Sequence, residues 1–379
     1  MLKRILYIGG FELPDKNAAA HRVLSIAKAW RDNGVEVIFI GISKEMSECD
    51  ILKTRTQCEG FTTYSIPYPK NKLEWVRYLI SIKYVKKIIE HSNGVDGIIC
   101  YNYQTIAFER LRRFCGKKKI KIYADCTEWY NTDGQNILFK LIKGLDVWYR
   151  MNVIHKKLDG MIVISSYLKD YYRKCSNIIC IPPLVDKLEN KWDIEAKTLS
   201  NSVNFVYAGQ PGNKDKIDRI VNSFIDISEK YDSELWIIGI TESDFKKNYP
   251  SFTELRIPSN IHFLGRISHK ESLAYSKGAD CSLIIRDSTR TNNAGFPTKF
   301  VESVTLGTDV IATDISDLKK YICVLDNSYI VETTLERTME EFIKKGKINK
   351  HIMNDMFDYR RWEKVVIELI EGDEKNDVK

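Results

Sequence analysis

Apolar residues in the first half of the chain gather into short runs. Between the runs lie longer stretches in which they recur every third or fourth position. The runs at 4–8, 35–41, 97–100, 120–124, 161–164 and 178–181 predict buried strands, and the stretches at about 18–33, 72–91, 104–115, 136–157 and 166–174 predict amphipathic helices. Short buried strands alternating with helices need parallel β-α-β crossovers, so the pattern predicts an α/β chain built on an open, doubly wound sheet.

The alternation stops at Pro182-Pro183, is followed by a polar stretch over 187–202, and then begins again. Proline removes a backbone donor and fixes φ, which suits a connector. Strands are predicted a second time at 203–208, 234–239, 261–264, 281–285 and 309–312, with helices near 216–230, 270–278 and 299–306. The expected organisation is a first Rossmann-like domain over 1–186, a linker over 187–202, a second Rossmann-like domain over 203–348, and C-terminal helices over 349–371. In the last segment, Asp358-Tyr359-Arg360-Arg361-Trp362 leads into an apolar-periodic helix ending near Ile370.

Composition narrows the class. At 379 residues the chain exceeds what one core usually supports, and 44% apolar with 29% charged residues is ordinary for a globular protein. No apolar stretch approaches the roughly 20 residues of a membrane span. The first residues have too short an apolar core for a signal peptide, so a cytoplasmic location is expected. The nine cysteines include no C-x-x-C pair and read as reduced thiols. The six histidines form no metal pattern and no Asp-x-Asp occurs, so neither a metal nor a resident cofactor is expected.

The net charge of +7 is unevenly placed: residues 1–185 hold 30 Lys and Arg against 18 Asp and Glu, and the remainder 28 against 33. The first half therefore suits an anionic surface or ligand. Its densest basic segment, with Lys70, Lys72, Arg77, Lys83, Lys86 and Lys87 interleaved with Leu73, Trp75, Val76 and Leu79, reads either as a membrane-surface helix or as a solvated helix face. Arg110, Arg112, Arg113, Lys117, Lys118 and Lys119 add a second patch, and no nucleic-acid motif accompanies either one.

In doubly wound sheets, ligands bind beyond the carboxyl ends of the strands, and three loops there carry candidate chemistry. Gly9-Gly10 follows the first strand and opens onto a helix; it is either a phosphate-approach loop or an ordinary strand-to-helix turn. The loop from Tyr207 through Gly209, Gln210, Gly212, Lys214 and Lys216 has the glycines and lysines that suit a diphosphate, without a Walker A pattern. The third loop runs from Arg286 past Arg290 to Gly295-Phe296-Pro297-Thr298-Lys299 and Glu302. Its proline near a helix start leaves the Thr298 and Lys299 amides for a phosphate, and Glu302 one turn on for a ribose diol or for water.

Together these loops resemble the retaining GT-B glycosyltransferases, in particular the large family 4. The segment Gly295-Phe296-Pro297-Thr298-Lys299-x-x-Glu302-x-x-x-x-Gly307-x-x-Val310-Ile311-Ala312-Thr313 is similar to that family's donor-binding segment. Tyr207-Ala208-Gly209 with Lys214-Asp215 is similar to its phosphate loop, and Ile181-Pro182-Pro183-Leu184-Val185-Asp186 to its hinge entry. The stretch Asp125-Cys126-Thr127-Glu128-Trp129 resembles one found in some members.

The resemblance implies two Rossmann-like domains facing across a cleft, with a terminal helix crossing back to the first. It implies transfer of a sugar, with retention, from a nucleoside-diphosphate sugar to a glycan or polyprenyl-linked saccharide acceptor. That activity belongs to surface polysaccharide assembly, peripheral on a membrane. On this reading Lys214 serves the reaction at the leaving diphosphate, and Asp125 and Glu128 either contact the acceptor hydroxyl or cap the next helix. Gly10, Gly209, Lys214, Lys216, Arg286, Arg290, Gly295, Phe296, Pro297, Thr298, Lys299 and Glu302 hold the donor. The chain departs from the family where a glutamate and an arginine are common, at Ala294 and Gln210. These departures suit the alternative of a non-catalytic sugar-nucleotide-binding subunit; an epimerase or hydrolase of the same shape is the other rival.

Overall fold

The computed structural model describes residues 2–47, 50–129, 137–212, 214–346 and 352–371. It divides into two compact units, one of Met1–Val185 with Asp358–Lys379 and one of Asp186–Phe357.

The first unit runs β1 (Arg4–Gly9), α1 (Ala18–Asp32), β2 (Glu36–Ser43), β3 (Thr56–Cys58), β4 (Phe61–Pro67), α2 (Lys72–Ile80), α3 (Lys83–His91), β5 (Gly97–Tyr101), α4 (Thr105–Lys118), β6 (Lys121–Cys126), α5 (Ile137–Tyr149), β7 (Gly160–Val163), α6 (Ser166–Tyr171) and β8 (Ile178–Cys180). Its strands lie in the order β3-β4-β2-β1-β5-β6-β7-β8, and all pairs are parallel except β3 with β4. Between sheet and α1 lies an aromatic core, in which Tyr7, Phe11, Trp30 and Phe39 are fully buried.

The second unit runs β9 (Val203–Tyr207), α7 (Ile217–Ser228), β10 (Ser233–Ile238), α8 (Glu242–Asn248), β11 (Ile261–Gly265), α9 (His269–Gly278), β12 (Cys281–Ile284), α10 (Arg290–Ala294), α11 (Thr298–Leu306), β13 (Asp309–Ala312), α12 (Leu318–Ile322), β14 (Tyr329–Ile330) and α13 (Leu335–Lys345). Every strand pair is parallel, in the order β11-β10-β9-β12-β13-β14. Counted within the unit this is 3-2-1-4-5-6, whose direction of winding reverses between β9 and β12. Such a reversal opens a crevice beyond the strand ends. The α/β class with two Rossmann-like sheets is thus the observed fold.

α14 (Glu363–Glu371) belongs to the first unit. Its Val366, Leu369 and Ile370 join the core beside Trp30, whose indole nitrogen donates to the Val366 carbonyl (3.1 Å). Asn177 Nδ2 donates to the Leu369 carbonyl (2.8 Å), and Val185 bridges Asp358. The stretch 187–202 lies in the second unit, anchored by Trp192, which is buried and donates to the Asp186 carbonyl (2.9 Å).

Several elements depart from the periodicity. β3 and β4 are additional strands, because the adjacent Thr62 and Thr63 of β4 interrupt its apolar signal. The helix expected over 72–91 breaks at Ser81, whose hydroxyl accepts from the Lys83 amide (3.2 Å) and so starts α3. Beyond α5 the expected helix loosens into a π turn (Arg150–Ile154) and a 3-10 turn (His155–Lys157). The short helices α8, α10 and α12, with β14 and α13, also lie outside the predicted set. The eight described cysteines form no disulfide with one another; Cys49 lies outside the described residues.

Candidate functional site

The strongest constellation sits at the winding reversal of the second unit. β9 ends in Tyr207 and delivers the chain to Gly209, whose φ of +120° is a left-handed conformation that favours glycine. A Cβ there would lie 2.7 Å from Lys299 Cε, so the lysine stem lies directly against the glycine backbone. The end of β10 reinforces this: Gly239 has φ +104°, and its absent Cβ would fall 2.5 Å from the Gly209 carbonyl carbon. Two strand-end glycines thus stack and leave backbone surface where side chains would otherwise stand.

Asp215, after the loop, is the hub. Its carboxylate accepts from Arg286 Nε (2.7 Å), Lys299 Nζ (3.3 Å) and the Tyr207 hydroxyl (3.0 Å). Lys299 Nζ also stands 3.9 Å from the centre of the Tyr207 ring, a cation–π contact. Arg286 is fixed from behind by Thr313, whose hydroxyl accepts from the Arg286 amide (2.9 Å) and donates to its carbonyl (2.7 Å). β9, α11 and the segments just beyond β12 and β13 therefore each contribute one group.

The electrostatics follow from burial. Lys299 lies mostly out of water, which pushes its ammonium down to about 8 against the pull of Asp215, and Arg286 pushes the same way. Burial would raise the Asp215 carboxyl, but Lys299 and Arg286 together hold it below the ordinary value. Burial and the Asp215 charge both push the Tyr207 hydroxyl upward. Two cations around one carboxylate leave one net positive charge where the local dielectric is low. The arrangement can hold an anion, and Pro297 begins α11 with no side-chain cap, so first-turn amides are available to the same anion.

The sequence-predicted residues distribute unevenly around this hub. Gly209, Arg286 and Lys299 belong to it. Lys214 is exposed and forms no ion pair among the described residues, while Lys216 pairs with Asp287 (2.8 Å). The buried ammonium is therefore that of Lys299, expected to act through its amide, rather than either loop lysine. Thr298 is exposed at the first position of α11. Glu302 is half-buried, 3.2 Å from His269 Nε2 at the start of α9. Arg290 is exposed on α10, and the Gly295 carbonyl accepts from Ser316 Oγ (2.5 Å).

Phe296, expected to touch donor, instead packs among Phe300, Tyr321 and Phe357. Pro297 is buried next to it. Ala294, where the resembled family commonly carries a glutamate, has no exposure at all.

In the first unit, Gly10 lies open, with nothing within 4 Å of a Cβ placed on it. Asp125 is another matter. It is fully buried, and its oxygens accept from Arg22 Nη2 (2.8 Å), Arg22 Nε (3.0 Å) and the Tyr7 hydroxyl (2.5 Å). Arg22 in turn donates to the Ile181 and Pro182 carbonyls. Expected to contact an acceptor, Asp125 instead ties α1, β1, β6 and the segment after β8 together. Glu128 is exposed two residues beyond β6.

Asp215, Tyr207, Gly239, Thr313 and His269 were not among the predicted site residues. Strand-end glycine was the available signal for Gly239; nothing in a single sequence pairs Asp215 with a lysine 84 positions away.

Comparison with known proteins fits this geometry. The two-unit fold is that of the GT-B glycosyltransferases. Sucrose-phosphate synthase from Thermosynechococcus elongatus matches with a TM-score of 0.70 at 13% identity, covering 98% of each chain. HepE from Anabaena, in complex with UDP and glucose, matches at 0.63 and 11% identity over 98% of this chain and 100% of its own. The lipopolysaccharide outer core galactosyltransferase WaaB matches at 0.62 and 14%, over 98% and 99%. By sequence, residues 190–357, which carry the whole Asp215 constellation, match the family model described as Glycosyl transferases group 1. No curated protein matches the chain.

Proposed function

We propose that the protein is a glycosyltransferase that moves a sugar, with retention of anomeric configuration, from a nucleoside-diphosphate sugar to a glycan or lipid-linked saccharide acceptor. The observation that carries this reading is the buried Arg286–Asp215–Lys299 cluster against Gly209. It is a positive, preorganised cluster inside the segment that matches the group 1 glycosyltransferase family. That HepE was crystallised with UDP and glucose makes UDP the first nucleotide to try.

In this mechanism Arg286, Lys299 and the first amides of α11 meet the diphosphate. As the bond from the sugar C1 to the diphosphate oxygen breaks, those groups stabilise the charge that collects there, which is usually the largest electrostatic contribution. The acceptor hydroxyl forms the new bond to C1 and gives its proton to the departing diphosphate. Lys214, exposed on the same loop, is the further cation proposed to meet the leaving group, and Glu302 holds the ribose. Metal independence is part of the proposal, as is action at a membrane surface in polysaccharide assembly. No helix among the described residues is long and apolar enough to cross a membrane.

The test is thermal unfolding with UDP, GDP, ADP and CMP and their sugars, in chelator. A ligand at 100 times its dissociation constant adds about 2.7 kcal/mol of stability, which is readily visible. Stabilisation by one nucleoside diphosphate, followed by transfer to an acceptor, supports the reading. Binding without turnover points to the non-catalytic subunit that buried Ala294 favours. No shift with any nucleotide overturns the donor site.

A further inference from the structure

Between α3 and α4 of the first unit runs an open groove of about 1040 Å³, with the last turn of α2 beside it. α3 lines it with Lys83, Lys86 and Lys87, and α4 with Arg110, Arg113 and Lys117. Glu90 is the one acid among the described residues that line it. Half-buried Ile80, Ile82 and Phe114 give the groove an apolar floor.

The charges are spaced unfavourably within each helix. Lys83 precedes Lys86 by three positions and Lys87 by four; Arg113 follows Arg110 by three and precedes Lys117 by four. Like charges at these spacings are neighbours on the helix surface and destabilise it. Part of the charge is answered locally. Lys87 Nζ donates to Asp50 (2.7 Å), Arg113 Nε to Glu109 (2.7 Å), and Arg110 Nη1 to the Ile80 carbonyl (2.7 Å). Lys83 and Lys117 form no ion pair among the described residues, and Lys86 Nζ lies over the Phe114 ring, 5.1 Å from its centre. The two helices therefore turn a surplus of positive charge toward one concave, partly apolar space.

We propose that this groove docks an acidic amphipathic segment of a partner protein. The apolar side chains of that segment rest on Ile80, Ile82 and Phe114, and its carboxylates lie between the two rows of cations. From Lys83 to Glu90, and from Arg110 to Lys117, each wall runs about two helical turns, roughly 10 Å. That length suits a short helix laid in a groove, read through anchors at third and fourth positions. Nucleic acid or an acidic glycan would satisfy the cations, but neither brings aliphatic groups for the floor. A flat bilayer would meet the outer cations and leave the floor empty. The docking does not rest on the transferase reading.

The experiment titrates the full chain with a labelled synthetic helix, leucine at every third or fourth position and glutamate elsewhere, followed by fluorescence anisotropy. Two comparison peptides are the same helix with lysine in place of glutamate, and polyglutamate of equal length. The leucine–glutamate helix is expected to bind about tenfold or more tightly than either, since charge and apolar anchors are both recognised. Lys83→Glu combined with Lys117→Glu, and separately Phe114→Ala, are each expected to weaken it about tenfold. The charge reversals sit on exposed positions, and an unchanged melting temperature serves as their folding control.

Polyglutamate binding as tightly as the helix would mean that the floor is unused, and overturns the proposal. So does an absence of helix binding, or helix binding untouched by both variants. Heparin, or vesicles of phosphatidylcholine with phosphatidylglycerol, binding more tightly than the helix and lost in the charge variant, would assign the groove to an acidic glycan or a membrane instead.

Discussion

Lys299 and Asp215 form an ion pair of 3.3 Å in which the ammonium also lies over the Tyr207 ring and against the backbone of Gly209. Burial puts this lysine in an unusual position, with its proton held less firmly than that of an exposed lysine. A bound diphosphate would restore the charge balance that folding leaves incomplete.

The first prediction concerns pH. With the Lys299 ammonium pushed down to about 8, affinity for UDP should fall as pH rises from about 7 to 9.5, because the neutral amine no longer attracts phosphate. Stability should move the other way. The unfolded chain holds this proton up to the ordinary lysine range, so between about 8 and 10 the unfolded state binds more protons and this group's contribution to stability rises with pH. Lys299→Met should remove both dependences in titrations of UDP affinity and of urea midpoint.

A second prediction separates binding from turnover. Lys299→Ala and Arg286→Ala should each weaken UDP binding about tenfold or more, as expected when a charge-assisted contact is lost. Lys214→Ala should leave UDP affinity within about threefold and lower the transfer rate about tenfold. If Lys214→Ala changes neither, the loop lysine has no part in the reaction.

Glu302→Ala should cut transfer at least about tenfold through the lost ribose contact. His269→Ala tests whether the 3.2 Å contact merely orients Glu302, in which case the loss is smaller and appears mainly in KM.

Gly209→Ala should destabilise the second unit by on the order of 1–3 kcal/mol, from a backbone at φ +120° and a Cβ driven into Lys299. Gly239→Ala should cost more, because its Cβ meets backbone, which cannot swing aside as a lysine stem can. Urea denaturation measures both.

Asp125→Ala should reduce stability by about 3–5 kcal/mol, since it strands the buried Arg22 guanidinium. A variant that folds normally and loses only acceptor affinity would return Asp125 to the reaction.

Periodicity alone was enough for the α/β class and for the place where the first set of strands gives way to the second. Strands such as β1 and β5, buried on both faces, are continuous apolar runs and announce themselves. β4 did not, because its Thr62 and Thr63 are polar in sequence and yet lie within a sheet. The helix break at Ser81 was hidden as well, since a side chain competing for the backbone leaves the apolar spacing intact.

The site divides along the same line. A glycine after a strand, or a proline at a helix start, expresses a local backbone requirement, so Gly209 and the opening of α11 could be read directly. Which cation joins the Asp215 cluster is a matter of distance in space. Lys214, Lys216 and Lys299 are equivalent as letters. Only the folded chain leaves the first exposed, pairs the second with Asp287 and buries the third beside Asp215. Asp125 shows the converse: its place after a strand suggested chemistry, and the approach of Arg22 from 103 positions away made it structural. Sequence determines what each stretch of backbone can do locally; charge pairing and burial depend on contacts between distant segments, and those exist only once the chain has folded.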